Sequence, residues 1–271
     1  MPSAALLRIE IERSLAGRFP AALTPAPRSP HEVAATGIGA IDVLLEGGLP
    51  VGAISELTGT QSSGRTSLAL AFLARRTAED RICAWVDVSD AFDPESAAAN
   101  GVCLSQLLWV RCRGAQVVEK PGQRERPWSR LDHALRATDL LLQAGGFAAI
   151  VLDLGAIARE HGNRIPAATW FRFRQAAQRT RCSLVVLGRA AYAQSSAAAV
   201  LECSMRQVQS AGECVLRGLE YGVARLQERF LPATHGMSKP GRPTTDLSRG
   251  GGKPPVSTWT AQPPWQAARC A

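Results

Sequence analysis

The chain has 271 residues, 46% of them hydrophobic and 20% charged, enough apolar material for one ordinary globular core with flanking segments. Lys and Arg outnumber Asp and Glu by 31 to 23, giving a formal charge of +8 and a pI near 9.6, a balance that leans toward polyanionic partners such as nucleic acid. Arg8, Glu10, Glu12 and Arg13 interrupt the first apolar stretch. No run of about 18 apolar residues follows anywhere, so no signal-peptide-like segment or membrane span is expected and the reading is a cytoplasmic protein.

Ser3 is placed to cap a helix in which Leu7, Ile11, Leu15 and Phe19 recur every fourth residue as one apolar stripe. Pro20, Pro25, Pro27 and Pro30 then mark an extended linker, so residues 1–32 read as a helix tethered to the rest. The stripe can dock on the chain's own core or on a neighbouring subunit. Residues 33–231 alternate β-rich runs with helical runs, the pattern of an α/β sheet with crossover helices. Strands are predicted at 54–58, 82–87, 107–111, 148–153 and 183–187, and helices at 66–78, 94–100, 130–144 and 168–180. Strand-like pieces at 201–208, 214–219 and 222–226 follow without long helices between them and predict a C-terminal β-meander. Residues 232–271 hold seven prolines, a Gly250-Gly251-Gly252 knot and five Lys/Arg against Asp246 alone. Such a composition predicts a disordered basic tail, in which Trp259 and Trp265 are either partner anchors or incidental.

Seven cysteines, Cys83, Cys103, Cys112, Cys182, Cys203, Cys214 and Cys270, lie far apart with no CxxC pair. They read as reduced and mostly buried rather than as zinc ligands.

Gly59-Thr60-Gln61-Ser62-Ser63-Gly64-Arg65-Thr66 fits the pattern G-x-x-x-x-G-K-[ST] at every fixed position but one. It stands between a β-rich run and an amphipathic helix, where backbone amides of residues 60–65 and the helix dipole would ring a phosphate and the Thr66 hydroxyl would reach its magnesium. The exception is Arg65. It keeps the charge, but its planar fork cannot place a point charge between two phosphates as lysine does. Asp153 ends an apolar run, Ile150-Val151-Leu152, where a carboxylate needs a reason to be: a functional role, a helix cap or a turn.

The segments Thr36-Gly37-Ile38-Gly39-Ala40-Ile41-Asp42, Gly47-Gly48-Leu49-Pro50-Val51-Gly52, the Ser62-Ser63-Gly64 loop and Val86-Asp87-Val88-Ser89-Asp90-Ala91-Phe92-Asp93-Pro94 resemble the core of RecA recombinases in order and spacing. The resemblance covers about residues 33–230 and is most specific before Gly101. It implies a RecA-like P-loop NTPase core, a mainly parallel twisted sheet that binds ATP with Mg2+ through Gly59, Thr60, Gln61, Ser62, Ser63, Gly64, Arg65, Thr66 and Ser67. Asp153 takes the place of the carboxylate that organises the metal through water. Ser89 stands where the family places the glutamate that activates water, and serine is no general base at neutral pH. Gly188-Arg189 stands where a glutamine senses the γ-phosphate, leaving Arg189 as the phosphate sensor. Together with Arg65, these departures predict nucleotide binding with slow or absent turnover.

The family's two DNA-gripping loops map to residues 160–166 and 190–199. With Arg164, Arg172 and Arg174 as candidate contacts, they imply weak, sequence-independent binding of single-stranded DNA. The Pro-rich tail stands in place of the family's C-terminal DNA-gathering domain. This combination resembles the ImuA type of RecA relative, which implies an accessory role beside translesion polymerases in SOS-type damage responses. Leu7, Ile11, Leu15 and Phe19 are then candidates for a self or RecA interface, and RecA or translesion polymerase components are the implied partners. An active single-stranded-DNA-dependent ATPase acting in recombinational repair is the alternative, and a scaffold that no longer binds nucleotide is a third reading.

Overall fold

Sequences such as Cys-Ala-Trp-Val-Asp and Ala-Ile-Val-Leu-Asp carry no alternation of polar and apolar residues, as strands covered on both faces must. In the computed structural model, which describes residues 30–112, 127–211, 215–228, 231–232 and 256–261, these runs lie in the middle of a mixed sheet. The chain passes through β1 (Val33–Ala34), α1 (Gly39–Leu44), β2 (Leu49–Pro50), β3 (Ile54–Thr58), α2 (Arg65–Ala78), β4 (Cys83–Asp87), α3 (Pro94–Ala99) and β5 (Leu107–Arg111). It continues with α4 (Pro127–Ala144), β6 (Ala149–Asp153), α5 (Arg159–Asn163), α6 (Ala167–Thr180), β7 (Ser183–Gly188), β8 (Ala197–Ala211), β9 (Val215–Glu228) and β10 (Val256–Ala261).

The main sheet runs β10-β9-β8-β3-β7-β6-β4-β5. From β8 to β5 every neighbouring pair is parallel, and β9 and β10 add antiparallel strands at the other edge. Side chains alternate across it. Ala84, Val86, Ile150, Leu152, Leu184 and Val186 face one apolar cluster with Leu131 of α4 and Trp170 and Phe173 of α6. Trp85, Val151, Val185 and Leu187 face the other with Leu68, Phe72 and Leu73 of α2. Sheet and helices thus stack in three layers, and the strand ends at Thr58, Asp87, Asp153 and Gly188 meet along one edge in register.

The five central strands and the four expected helices lie within a few residues of their expected places. Helix α3 starts as its sequence predicts, with Asp93 accepting from Glu95 N and Ser96 N and Pro94 in the first turn. The Thr36–Asp42 segment also gains a physical reason: Asp42 Oδ1 accepts from Thr36 N at 2.6 Å and Thr36 Oγ1 at 2.7 Å, closing the turn into α1.

Several expectations are corrected. The three meander pieces are two long strands, β8 and β9, because β-bulges near Gly218, Tyr221 and Gln227 let one strand absorb two apolar runs. The expected tail 232–271 contributes β10, whose residues Ser257, Trp259 and Ala261 are half-buried on one face, so Trp259 packs within its own chain. The short helices α1 and α5 were not foreseen. Cys103 is exposed, while Cys83, Cys112, Cys182 and Cys203 are buried; Cys214 and Cys270 lie outside the described residues. So do Leu7, Ile11, Leu15, Phe19 and Trp265. Among the described residues, no helix is long and apolar enough to cross a membrane.

Candidate nucleotide-binding site

The turn from β3 into α2 gives the chain a ready anion cup. Gly64 caps α2 at φ 87 and Ser62 is left-handed at φ 59, so successive amides turn inward. Helix geometry leaves the amides of Arg65, Thr66 and Ser67 without helical acceptors. Ser63 Oγ is buried with no protein partner. Gly59 N donates to Gly188 O at 3.1 Å, tying the loop's start to the end of β7. A cavity of about 330 Å³ opens here, lined by Arg65, Thr66, Ser89, Asp93, Ser96 and Asp153 among others. It lies at the carboxyl ends of parallel strands, where open α/β sheets bind ligands.

Arg65 is buried rather than extended into solvent. Its guanidinium donates to Gly59 O, to Thr60 O at 2.8 Å and to Gly155 O at 3.3 Å. Burial draws its pKa below the ordinary arginine value, while the charge of Asp153 works in the opposite sense. Arg189 Nε donates to the same Gly155 carbonyl at 3.2 Å. The two arginines at the departures from the family pattern therefore converge on the turn after β6. Three of Arg65's five N–H bonds are engaged by carbonyls of its own chain, which keeps positive charge at the cup and fixes its fork there.

The acids divide by role. Asp153 donates no cap; its Oδ1 accepts from Gly155 N at 2.8 Å, a turn bond, and burial pushes the carboxyl up from the usual carboxylate range. Asp87, its register neighbour, accepts from Ser89 N at 3.1 Å and Phe92 N at 2.8 Å. Strand β4 ends at Asp87, so Ser89 and Asp90 lie beyond it in the following bend. Asp90, left-handed at φ 58, is held by Arg111 through bonds of 2.6 and 2.8 Å, and Arg111 also lies 4.5 Å over the Trp109 ring. Both acids flanking Ser89 are thus committed elsewhere. Ser67 turns away from the cavity, its hydroxyl bonded to that of Tyr221.

The two segments expected to grip DNA are compact. Residues 159–163 form α5, and β8 already begins at Ala197. Buried Tyr192 lies so close to Gly162 that a Cβ there would sit 2.5 Å from the ring's Cζ. Glu56, mid-strand in β3, anchors the second segment: its Oε1 accepts from Tyr192 N at 2.6 Å and Ala193 N at 2.9 Å. Burial raises the Glu56 pKa. Sequence reasoning missed this residue, although a carboxylate between Ser55 and Leu57 in a buried strand signals that something must satisfy it. Arg172 is paired with Asp139 of α4 at 3.1 Å, and Arg174 sits over the Phe171 ring at 5.0 Å. Two positions apart on a helix they point roughly 200° apart, so they do not join exposed Arg164 in one patch.

A parallel sheet with a glycine-bounded strand-to-helix turn, faced by an aspartate at the end of the next strand but one, defines the phosphate-loop class. The model of the RecA N-terminal domain family matches residues 10–158, more than half of the chain, and the chain belongs to that family. It is 40% identical to the RecA protein of Cutibacterium acnes over 119 residues, 44% of this chain and 30% of that one. It is 35% identical to that of Ruegeria pomeroyi over 123 residues, 45% of this chain and 31% of that one. The chain thus spans about a third of the length of these relatives. A crystal structure of the RadB recombinase superposes with a TM-score of 0.51 at 18% identity, covering 73% of this chain and 91% of that one. The fold is accordingly the RecA/RadB-like α/β fold, extended by an antiparallel C-terminal meander.

Proposed function

We propose that the chain is a RecA-like nucleotide-binding accessory protein of the bacterial DNA damage response, with weak or no ATP hydrolysis. Residues 59–66 would hold the phosphates of ATP, and Thr66 with Asp153 would hold Mg2+, which supplies charge neutralisation when bound. The observation that carries the loss of turnover is the commitment of the two acids that flank Ser89 in sequence, Asp87 and Asp90. Asp87 accepts two backbone amides and Asp90 is paired to Arg111, so neither is poised to take a proton from water. Arg65, bonded to three carbonyls, supports binding better than transfer. An accessory role of the ImuA type, beside RecA or translesion polymerase components, fits a site that senses nucleotide without consuming it. Weak contacts to single-stranded DNA, through Arg164 among others, and self-association belong to the same reading.

Phosphate release at saturating ATP and Mg2+, with and without single-stranded DNA, tests the proposal. Turnover below about 0.01 per second in both conditions is expected. Turnover on the order of 1 per second, the range of working enzymes, overturns it in favour of a DNA-dependent ATPase.

A further inference from the structure

We infer that strand β10 is a clamp on the phosphate loop, with Trp259 and Tyr221 as positioning residues that set how tightly the loop holds an anion. The inference rests on the nucleotide-binding reading of the loop but has a structural readout of its own.

Strand β10 pairs with β9 from Leu219↔Ala261 to Ala224↔Val256, and Tyr221 stands directly opposite Trp259. Their rings lie 5.1 Å apart at 35°. Trp259 also packs against the apolar cluster that includes Leu68 of α2 and Val223. Tyr221 is buried, and its other neighbour is the loop itself. A Cβ on Gly64 would sit 2.6 Å from the Tyr221 ring, and the Tyr221 hydroxyl bonds Ser67, one turn into α2. A continuous stack therefore runs from Trp259 through Tyr221 to the residue that caps the helix beneath the anion cup.

At that end of the loop Gly64 O accepts from Leu68 N at 3.0 Å in the first turn of α2. Ahead of it, Ser63 N reaches Thr60 O at only 3.4 Å, and Gln61 and Ser62 are exposed. Its first residue is tied to Gly188 and its carbonyls to Arg65, whereas the Gly64 side rests on the tyrosine ring. The strand that backs this ring is the last of the sheet among the described residues. An edge strand, hydrogen-bonded on one side only, opens more readily than the central strands. Its release would free one face of Tyr221 and loosen Gly64, so the occupancy of this edge sets nucleotide affinity.

Amide hydrogen exchange on the full-length protein, paired with titration of ATP and Mg2+, tests this. In Trp259→Ala, exchange across residues 60–66 is expected to rise about tenfold and ATP affinity to fall about fivefold, while the amides of Ala149–Asp153 keep their protection. Ser257→Pro, which breaks the edge pairing without truncating a core side chain, gives the same pattern and serves where Trp259→Ala does not fold. Loop exchange unchanged in Ser257→Pro while β10 itself opens overturns the clamp. A wild-type protein that binds no ATP removes the nucleotide reading alone, since loop exchange still decides the clamp.

Discussion

Gly64→Ala will lower the stability of the protein by about 2 to 5 kcal/mol and abolish measurable nucleotide binding. Two independent costs add at this position. The backbone sits at φ 87, a region that an L side chain enters at a cost of about 1 to 2 kcal/mol. The new methyl would also lie 2.6 Å from the Tyr221 ring, an overlap in a buried contact of the kind that costs about 1 to 3 kcal/mol. Urea denaturation measures the sum. Adding Tyr221→Ala removes the collision and leaves the backbone strain, so the double variant loses its own ring contacts but shows a smaller penalty for the glycine change. Full stability of Gly64→Ala would contradict the described path of the loop.

Glu56→Ala will cost on the order of 3 kcal/mol, because it strands the amides of Tyr192 and Ala193 in the interior without an acceptor. Glu56→Gln separates the charge from the acceptor. The folded-state pKa of Glu56 is raised by burial above its unfolded value. The folded protein therefore holds the proton more tightly, and the stability this contributes is fully present below the unfolded pKa and is lost as pH rises through the folded one. Wild type should weaken as pH rises above the ordinary carboxylate range. Glu56→Gln, whose carbonyl still accepts both amides, should lack that decline and be at least as stable as wild type at pH 8. Denaturation midpoints from that range up to pH 8 decide it; a flat wild-type profile with an unstable Glu56→Gln at pH 8 would show that the ionised carboxylate is favoured.

Much of the fold was legible because its central strands are short apolar runs between strong punctuation. Asp93-Pro94 starts α3 and the Gly59–Gly64 pair brackets the loop, each through local backbone chemistry alone. Strand β10 was illegible for the opposite reason. Its Val-Ser-Thr-Trp-Thr-Ala sequence alternates as a half-buried strand should, but it stands amid proline and glycine, and its partner β9 is far away in sequence. The site divided the same way. Pattern and position place the loop at a strand-to-helix turn and Asp153 at a strand end, as the structure does, whereas the bonds of Asp87, Asp90 and Glu56 depend on Arg111, Phe92 and Tyr192, contacts that no spacing encodes. The pairing of Arg172 with Asp139 was not legible either, because its partner lies on another helix.

Titration of the full-length protein with ATP in the presence of Mg2+ tests the central claim most directly. The account predicts saturable binding at one site that weakens when Mg2+ is withdrawn and disappears in Gly64→Ala. Absence of binding by the folded wild-type protein, or binding that Gly64→Ala leaves untouched, would contradict it.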